Sequence, residues 1–419
     1  MNKPQIRFKG FDDEWQQAIM NDISTSYSGG TPRAGVKDYY GGNIPFIRSG
    51  EIHSDKTELF LTQRGFDESS AAMVNKGSIL YALYGATSGE VDICKIHGAI
   101  NQAILSITPN SGYVAEYLNY WLYVHKNQIV RTYLQGGQGN LSGAIVKSFI
   151  VDVPLEQEQR VIGNYFRQLD EIITEVEREV SSLEKMKQAS LQKMFPCPGE
   201  TTPEIRFNGF NGEWKKVTFS DLFSPIKNNT LSRACLNYDY GKIKNIHYGD
   251  ILIKFGSIVD VNDCLVPYVN DEIGLELNNF NTLSNGDIIF ADTAEDEAVG
   301  KCVEIDGADK LNVVSGLHTI AVRPNKEFAN GFLGYSLNSN LYHYQLLPLM
   351  QGIKVLSISK SAIADTIILY PESLDEQKAI SKYFRNLDEL ISAKRKQLTK
   401  LRNIKQACLD MMFVNTSEL

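Results

Sequence analysis

Residues 158–195 contain no proline and a single glycine, Gly163. Apolar side chains stand at Ile162, Phe166, Leu169, Ile173, Val176, Val180 and Leu183, in alternating steps of four and three, the seam of a heptad repeat. Arg160, Arg167, Asp170, Glu171, Glu175, Glu177, Arg178 and Glu179 lie between them as solvent-facing charge. A helix with one narrow apolar stripe needs a partner helix. At about 1.5 Å rise per residue it would run roughly 55 Å. The partner is in the same chain. Residues 376–413 align with the first stretch at an offset of 218, without a gap, and 17 of 38 positions are identical. The seam recurs as Ile380, Phe384, Leu387, Ile391, Lys394, Leu398 and Leu401. Lys394 stands where the first copy has Val176, a polar seam residue of the kind that fixes register at some loss of stability. Identity extends beyond the seam to shared Tyr-Phe-Arg, Leu-Asp-Glu and Lys-Gln-Ala triplets, which periodicity alone does not demand.

The duplication reaches further than the helices, and an internal repeat decides architecture. Residues 4–17 return as residues 203–216, with 8 of 14 positions identical. Residues 44–52 align at the same offset of 199 with residues 243–251, and residues 76–82 resemble residues 285–291. Each half is thus a globular region followed by a long helix. The similarity is strong at the edges and weak in the globular middle, as for one scaffold presenting two recognition surfaces. Residues 78–84, 103–108, 288–291 and 318–323 read as strands, and residues 114–128 and 329–341 as helices. Loops rich in Gly and Asn intervene at 28–42, 85–90, 135–143 and 278–285; loops of this length in a compact domain are usually functional or disordered. Residues 195–203 hold three prolines and read as the linker that stops the first helix.

At 419 residues the chain suits two or more domains. It has no apolar run long enough to span a membrane, and its first residues lack a signal peptide's apolar core, so a cytoplasmic location is expected. Cys94, Cys197, Cys235, Cys264, Cys302 and Cys408 form no Cys-x-x-Cys and read as reduced structural thiols. The net charge of −8 is concentrated in residues 196–370, with 14 basic and 21 acidic side chains, while residues 371–419 carry 9 and 7. Any nucleic-acid binding must therefore use local basic faces, or lean on a partner.

Catalytic motifs are missing. Gly136, Gly137 and Gly139 do not complete G-x-G-x-x-G, and no Walker loop, G-x-S-x-G or H-E-x-x-H appears. Asp292, Glu295, Asp296 and Glu297 form an acidic cluster that reads as a solvated loop, with a divalent-metal site for phosphodiester cleavage as the alternative. The six histidines are isolated and read as packing or surface residues. What remains is polar loop chemistry. Thr31, Arg33, Arg48, Ser49, Thr87, Ser88, Gln102, Gln138, Asn140 and Ser142 in the first half carry donors and acceptors suited to base edges and phosphates. Lys227, Asn228, Asn229, His247, Tyr248, Lys254, Lys354, Ser357 and Lys360 are the candidates in the second half.

Residues 28–32 (Ser-Gly-Gly-Thr-Pro), residues 39–47, the Pro154…Glu158-Gln159 and Pro371…Glu376-Gln377 helix entries and the duplicated helix together resemble the specificity subunit of type I restriction–modification enzymes. The second half departs from that pattern at residues 223–229, which lack Gly-Gly-Thr-Pro. The resemblance implies an α/β (α+β) chain with a pseudo-twofold internal repeat. Two mixed target-recognition domains, 1–153 and 204–370, would be separated by two long antiparallel helices, 154–195 and 371–419, forming a coiled coil, with 196–203 as linker. It implies no catalysis in this chain. Each domain would read one half of a split, asymmetric site on double-stranded DNA, and the helices would act as a spacer. Two methyltransferase subunits, bringing S-adenosylmethionine, would dock there for adenine methylation. Two restriction subunits would add ATP- and Mg-dependent translocation and cleavage. A rod of roughly 55 Å spans about 16 base-pair steps at ~3.4 Å each. Two other readings stay open: a protein-binding scaffold, favoured by the acidic second half, and a metal nuclease using Asp292 and Asp296.

Overall fold

The computed structural model describes residues 3–134, 140–263, 265–273 and 281–414. Two helices dominate, Glu156–Lys193 and Leu374–Met412. The chain divides into two compact units: Met1–Glu177 with Lys396–Leu419, and Arg178–Arg395. Each unit therefore owns one end of each long helix, and its globular part packs on that pair of ends.

The expected seam is the buried face. Ile162, Phe166, Leu169, Ile173 and Val176 are buried in the first unit, and Val180, Ile380, Phe384, Leu387 and Ile391 in the second. Leu183, Leu398 and Leu401 are half-buried. Within the first unit Phe166 meets Phe413, ring centroids 5.9 Å apart, so the start of one helix packs against the end of the other. Within the second unit Phe195 meets Phe384 at 6.0 Å, which is the same antiparallel pairing. Burying such a ring contributes about 2 kcal/mol. Lys394, the polar residue in the seam, is half-buried with its ammonium 2.5 Å from the Glu179 carboxylate.

The Glu-Gln dipeptide at each helix entry explains why those residues repeat. Gln159 accepts from the N–H of Val114 and donates to the Pro154 carbonyl. Gln377 accepts from Ala329 and donates to Pro371 in the same way. Each buried Glu receives a fork from an arginine near the start of its own globular repeat, Arg7 to Glu158 at 2.8 and 2.7 Å and Arg206 to Glu376 at 2.7 and 2.8 Å. A bidentate pair of this kind offsets the cost of burying the carboxylate. A third repeated device ties each globular part to both helices. Tyr120 donates to Asp170, which also holds Lys405. Tyr335 donates to Asp388, which also holds Lys187.

The globular parts are mixed α/β. In the first unit an antiparallel sheet runs in the order Ser24–Ser28, Ile104–Pro109, Ile79–Ala82, Val91–Ile93. A second sheet orders Leu59–Leu61, Tyr40–Ile47, Gly98–Ile100 and Ala72–Val74, with its central pair parallel. The helix Ala115–Leu134 covers the first sheet's core, which includes Ile79, Tyr81, Leu105, Ile107 and Trp121. In the second unit a five-stranded sheet orders Phe223–Ile226, Thr319–Pro324, Ile288–Ala291, Cys302–Asp306 and Ile258–Asp260. A four-stranded sheet orders Leu236–Asn237, Tyr268–Val269, Ile243–Ile246 and Asn312–Ser315.

Some elements differ from the expectation. The helix expected over 329–341 is two shorter ones, Phe332–Leu337 and Asn340–Leu346. Asn338 breaks the run: its side chain takes over backbone bonding, donating to the carbonyls of Gly334 and Cys302 and accepting from the N–H of Cys302. The first-half helix runs on to Leu134, six residues past its expected end. The strands at Ile104–Pro109 and Thr319–Pro324 take in their terminal prolines, where no further ladder bond is required of a proline N.

Candidate nucleic-acid interface

The two units build the same small crossing of four chain segments at one end of the main sheet. In the second unit the N–H of Asn229 donates to Ser315, that of Asp292 to His318, and that of Ile358 to Asp292, at 2.8, 3.1 and 2.9 Å. In the first, Gly29 donates to Asn101, Leu83 to Ala103 and Leu141 to Leu83, at 3.3, 2.8 and 3.0 Å. After each crossing a serine caps the next turn: Ser142 accepts from Ile145, and Ser359 from Ala362.

In the second unit this crossing floors an open groove of about 890 Å³. Of the residues that sequence singled out, Lys227, Asn228, Ser357 and Lys360 line it. Asp292 and His318, which sequence reasoning set aside, line it too, as does Thr293. Asn228 is braced underneath, its Nδ2 donating to the carbonyls of Gly316 and Thr319 at 3.3 and 3.1 Å. His318 takes a left-handed backbone, φ 55°, which costs a side-chain-bearing residue about 1 kcal/mol. Its ring meets that of Tyr248 edge-on, centroids 5.3 Å apart at 72°.

Other second-half candidates are committed to the fold. Asn229 is 1% exposed and donates to Asn245 at 2.6 Å. His247 is buried, and Nδ1 accepts from Gly249 as the cap of the helix Tyr248–Ile253. Lys254 sits over the ring of Tyr238 and beside Asp250. Asp250 also receives a fork from Arg233 at 2.5 and 2.6 Å. Burial opposes charge on Asp250, but Arg233 and Lys254 outweigh it and hold its carboxyl below the usual range. Lys354 is exposed in the turn before the strand Leu356–Ser357.

In the first unit Thr31 donates to Gln102 at 2.7 Å, joining two candidates on the exposed side of the crossing. The two preceding glycines make this possible. A Cβ on Gly29 would lie 1.8 Å from the Ile100 carbonyl oxygen, and one on Gly30 1.8 Å from Ser70 Oγ. Asn140 is exposed and bridges to Tyr84, next to Thr87, whose hydroxyl donates to the Tyr84 carbonyl. Ser88 is buried and donates to Gly85. Arg33 is exposed. Arg48, adjoining the half-buried Ser49, is held by Glu51 and Glu58. Burial works against charge on Glu51, yet the bonds from Arg48 and from the N–H of Glu58 bring its carboxyl down to about 2. Gln138, like the loop glycines 136, 137 and 139 and Cys264, lies outside the described residues.

The acidic loop does not gather as a metal site. Among the described residues no group of three or more His, Cys, Asp or Glu is placed to hold a metal ion. Asp292 accepts from Thr293 and Asp296 from the N–H of Ala298. Among the same residues no helix is long and apolar enough to cross a membrane.

Comparison with known proteins gives a consistent picture. The family described as Type I restriction modification DNA specificity domain matches the chain twice, over residues 12–185 and 211–403. The type I restriction enzyme MjaVIII specificity subunit of Methanocaldococcus jannaschii is 19% identical over 410 residues, covering 96% of this chain and 92% of that protein. The MjaIX specificity subunit of the same organism is 29% identical over 184 residues, 41% of this chain and 42% of that protein, so this match spans less than half of either. Among solved structures, the type-I restriction-modification system S subunit from M. genitalium superposes with a TM-score of 0.62 at 14% identity, covering 99% of this chain and 100% of its own. A chain from a structure of type I R-M complex assembly and conformational transition gives 0.51 at 17% identity, covering 96% and 98%. At these identities the two structures speak for the fold.

Proposed function

The chain belongs to the type I restriction modification DNA specificity family, and from that premise we propose that it is the non-catalytic target-reading subunit of such a complex. Each unit reads one half of a two-part, asymmetric site on double-stranded DNA. The paired helices would set the distance between the halves and receive two methyltransferase subunits. Adenine methylation would then use S-adenosylmethionine held by those subunits. Cleavage of unmodified DNA would need two restriction subunits with ATP and Mg.

The observation that carries the reading is the four-segment crossing. Three of its backbone bonds recur in both units while the side chains above it differ, Thr31 and Gln102 in one, Asn228, His318, Ser357 and Lys360 in the other. A shared frame with unlike polar tops suits two readers of unlike sequences, and protein pseudo-symmetry calls for a two-part site. The local cations Lys227 and Lys360 supply a basic face on a chain whose net charge is −8. The acidic whole implies weak DNA binding alone and tight binding with methyltransferase subunits present. Methylation mapping of DNA modified by the assembled complex tests this. A split site of two unlike halves is expected; equal binding to cognate and random duplexes would refute it.

A further inference from the structure

His318 opens the strand Thr319–Pro324 at the mouth of the groove. Among the described residues it is the only non-glycine with a positive φ. The turn that carries it is braced on every side. The N–H of Gly316 donates to Ile246, that of Asp292 donates to the His318 carbonyl, and Asn228 holds the carbonyls of Gly316 and Thr319. The ring's place is therefore set by the folded frame before any ligand arrives, the condition for precise recognition. Glycine would take this backbone freely.

The side chain keeps 48% of its exposure. One edge of the ring is accounted for: Nδ1 lies 3.4 Å from Asp292 Oδ1, and the ring meets Tyr248 in a T-shaped contact. Nδ1 is the nitrogen turned toward this carboxylate, and in the neutral tautomer that carries its proton there, Nε2 is an acceptor. The first unit has Ala103 at this point of the crossing, its carbonyl receiving the N–H of Leu83 as that of His318 receives Asp292. A methyl group there offers no polar atom. The residue whose carbonyl takes the matching backbone bond thus carries an acceptor in one unit and none in the other, and only His318 has the left-handed backbone.

We propose that His318 is a specificity-determining residue for the half-site read by the Arg178–Arg395 unit, its Nε2 accepting from an exocyclic amino group in the major groove. This rests on reading the chain as a DNA-recognition subunit. The amino group is that of adenine N6 or cytosine N4, the donors a major groove presents. Asp292 is a positioning residue that acts through the ring.

The test uses the full chain assembled with its methyltransferase subunits and a randomised duplex pool, sequenced for methylation. Two variants separate recognition from packing. His318→Gly relieves the backbone and removes the ring; His318→Phe keeps a ring against Tyr248 but removes Nε2. Thermal melts run alongside, with His318→Gly expected to be at least as stable as the parent. The expected result is a preference for adenine or cytosine at one position of one half-site. Both variants should relax it roughly fivefold or more, with the other half-site unchanged. Unaltered base preference in His318→Gly would overturn the inference, and so would an equal loss at every position. A parent complex with no two-part site would instead sink the functional reading, and this inference with it.

Discussion

Where the two units meet their helix ends they are near copies; at the groove they part company. Tyr120, Asp170 and Lys405 in the first unit have their counterparts in Tyr335, Asp388 and Lys187. Arg7–Glu158 matches Arg206–Glu376. A few residues away, Ala103 stands against His318, and a Thr31–Gln102 pair against an asparagine that bonds only backbone. The helix contacts are constrained by packing, burial and charge pairing, which leave few solutions. The polar residues above the crossing bond locally, Thr31 to Gln102 and Asn228 to backbone, and the two units use different side chains there. Divergence on a preserved frame is thus the mark of the surface that meets something outside.

The largest effects should come from breaking the shared frame. Phe166→Ala and Phe384→Ala each remove a fully buried ring and are expected to cost about 3–5 kcal/mol. Urea unfolding with hydrogen-exchange mapping should find each loss centred on its own unit and similar in size; a severalfold difference would mean the frames are not equivalent. Next is Asn229→Ala. It strands Asn245 in the interior and should cost about 1–3 kcal/mol with base preference untouched, because this residue supports the crossing from below. A changed half-site would return it to the reading surface. Lys360→Ala should leave the fold intact and weaken binding of the assembled complex to all duplexes alike, lowering the salt slope by about 1; a loss confined to one sequence would make it a base reader.

The smallest effect concerns His53, a first-unit residue. Its hydrogen bond to Asp92 raises its pKa, against the opposing pull of burial. A histidine raised in the folded state adds stability that is complete below the ordinary value near 6.5 and fades as pH climbs through the folded value. The stability gap between the parent and His53→Gln should therefore be wider at about pH 5.5 than at about pH 8.5. A gap that grows with pH would contradict this.

Much of the frame was legible because it repeats. Heptad spacing gave the seam at Ile162 to Leu183 and Ile380 to Leu401, and a gap-free alignment paired the copies. The groove was only half legible. Lys227, Asn228, Ser357 and Lys360 were found by loop composition, but Asn229 and His247 share that composition and are turned into the core. No local pattern separates the two cases, because the difference is made by strand ends brought together across the sheet. His318 was passed over as one isolated histidine among six. The missing signal was alignment of the two strand entries, which sets it against Ala103. The split of the 329–341 helix was equally hidden, since it depends on Asn338 finding Cys302 in a distant strand.

On the proposed function, one preserved frame carries two independent readers. Exchange of residues 1–150 for those of a relative with a different target, followed by methylation mapping of the assembled complex, tests it most directly. One half-site should change while the other half-site and the spacer length stay as they were. A change in both halves, or in neither, would contradict it.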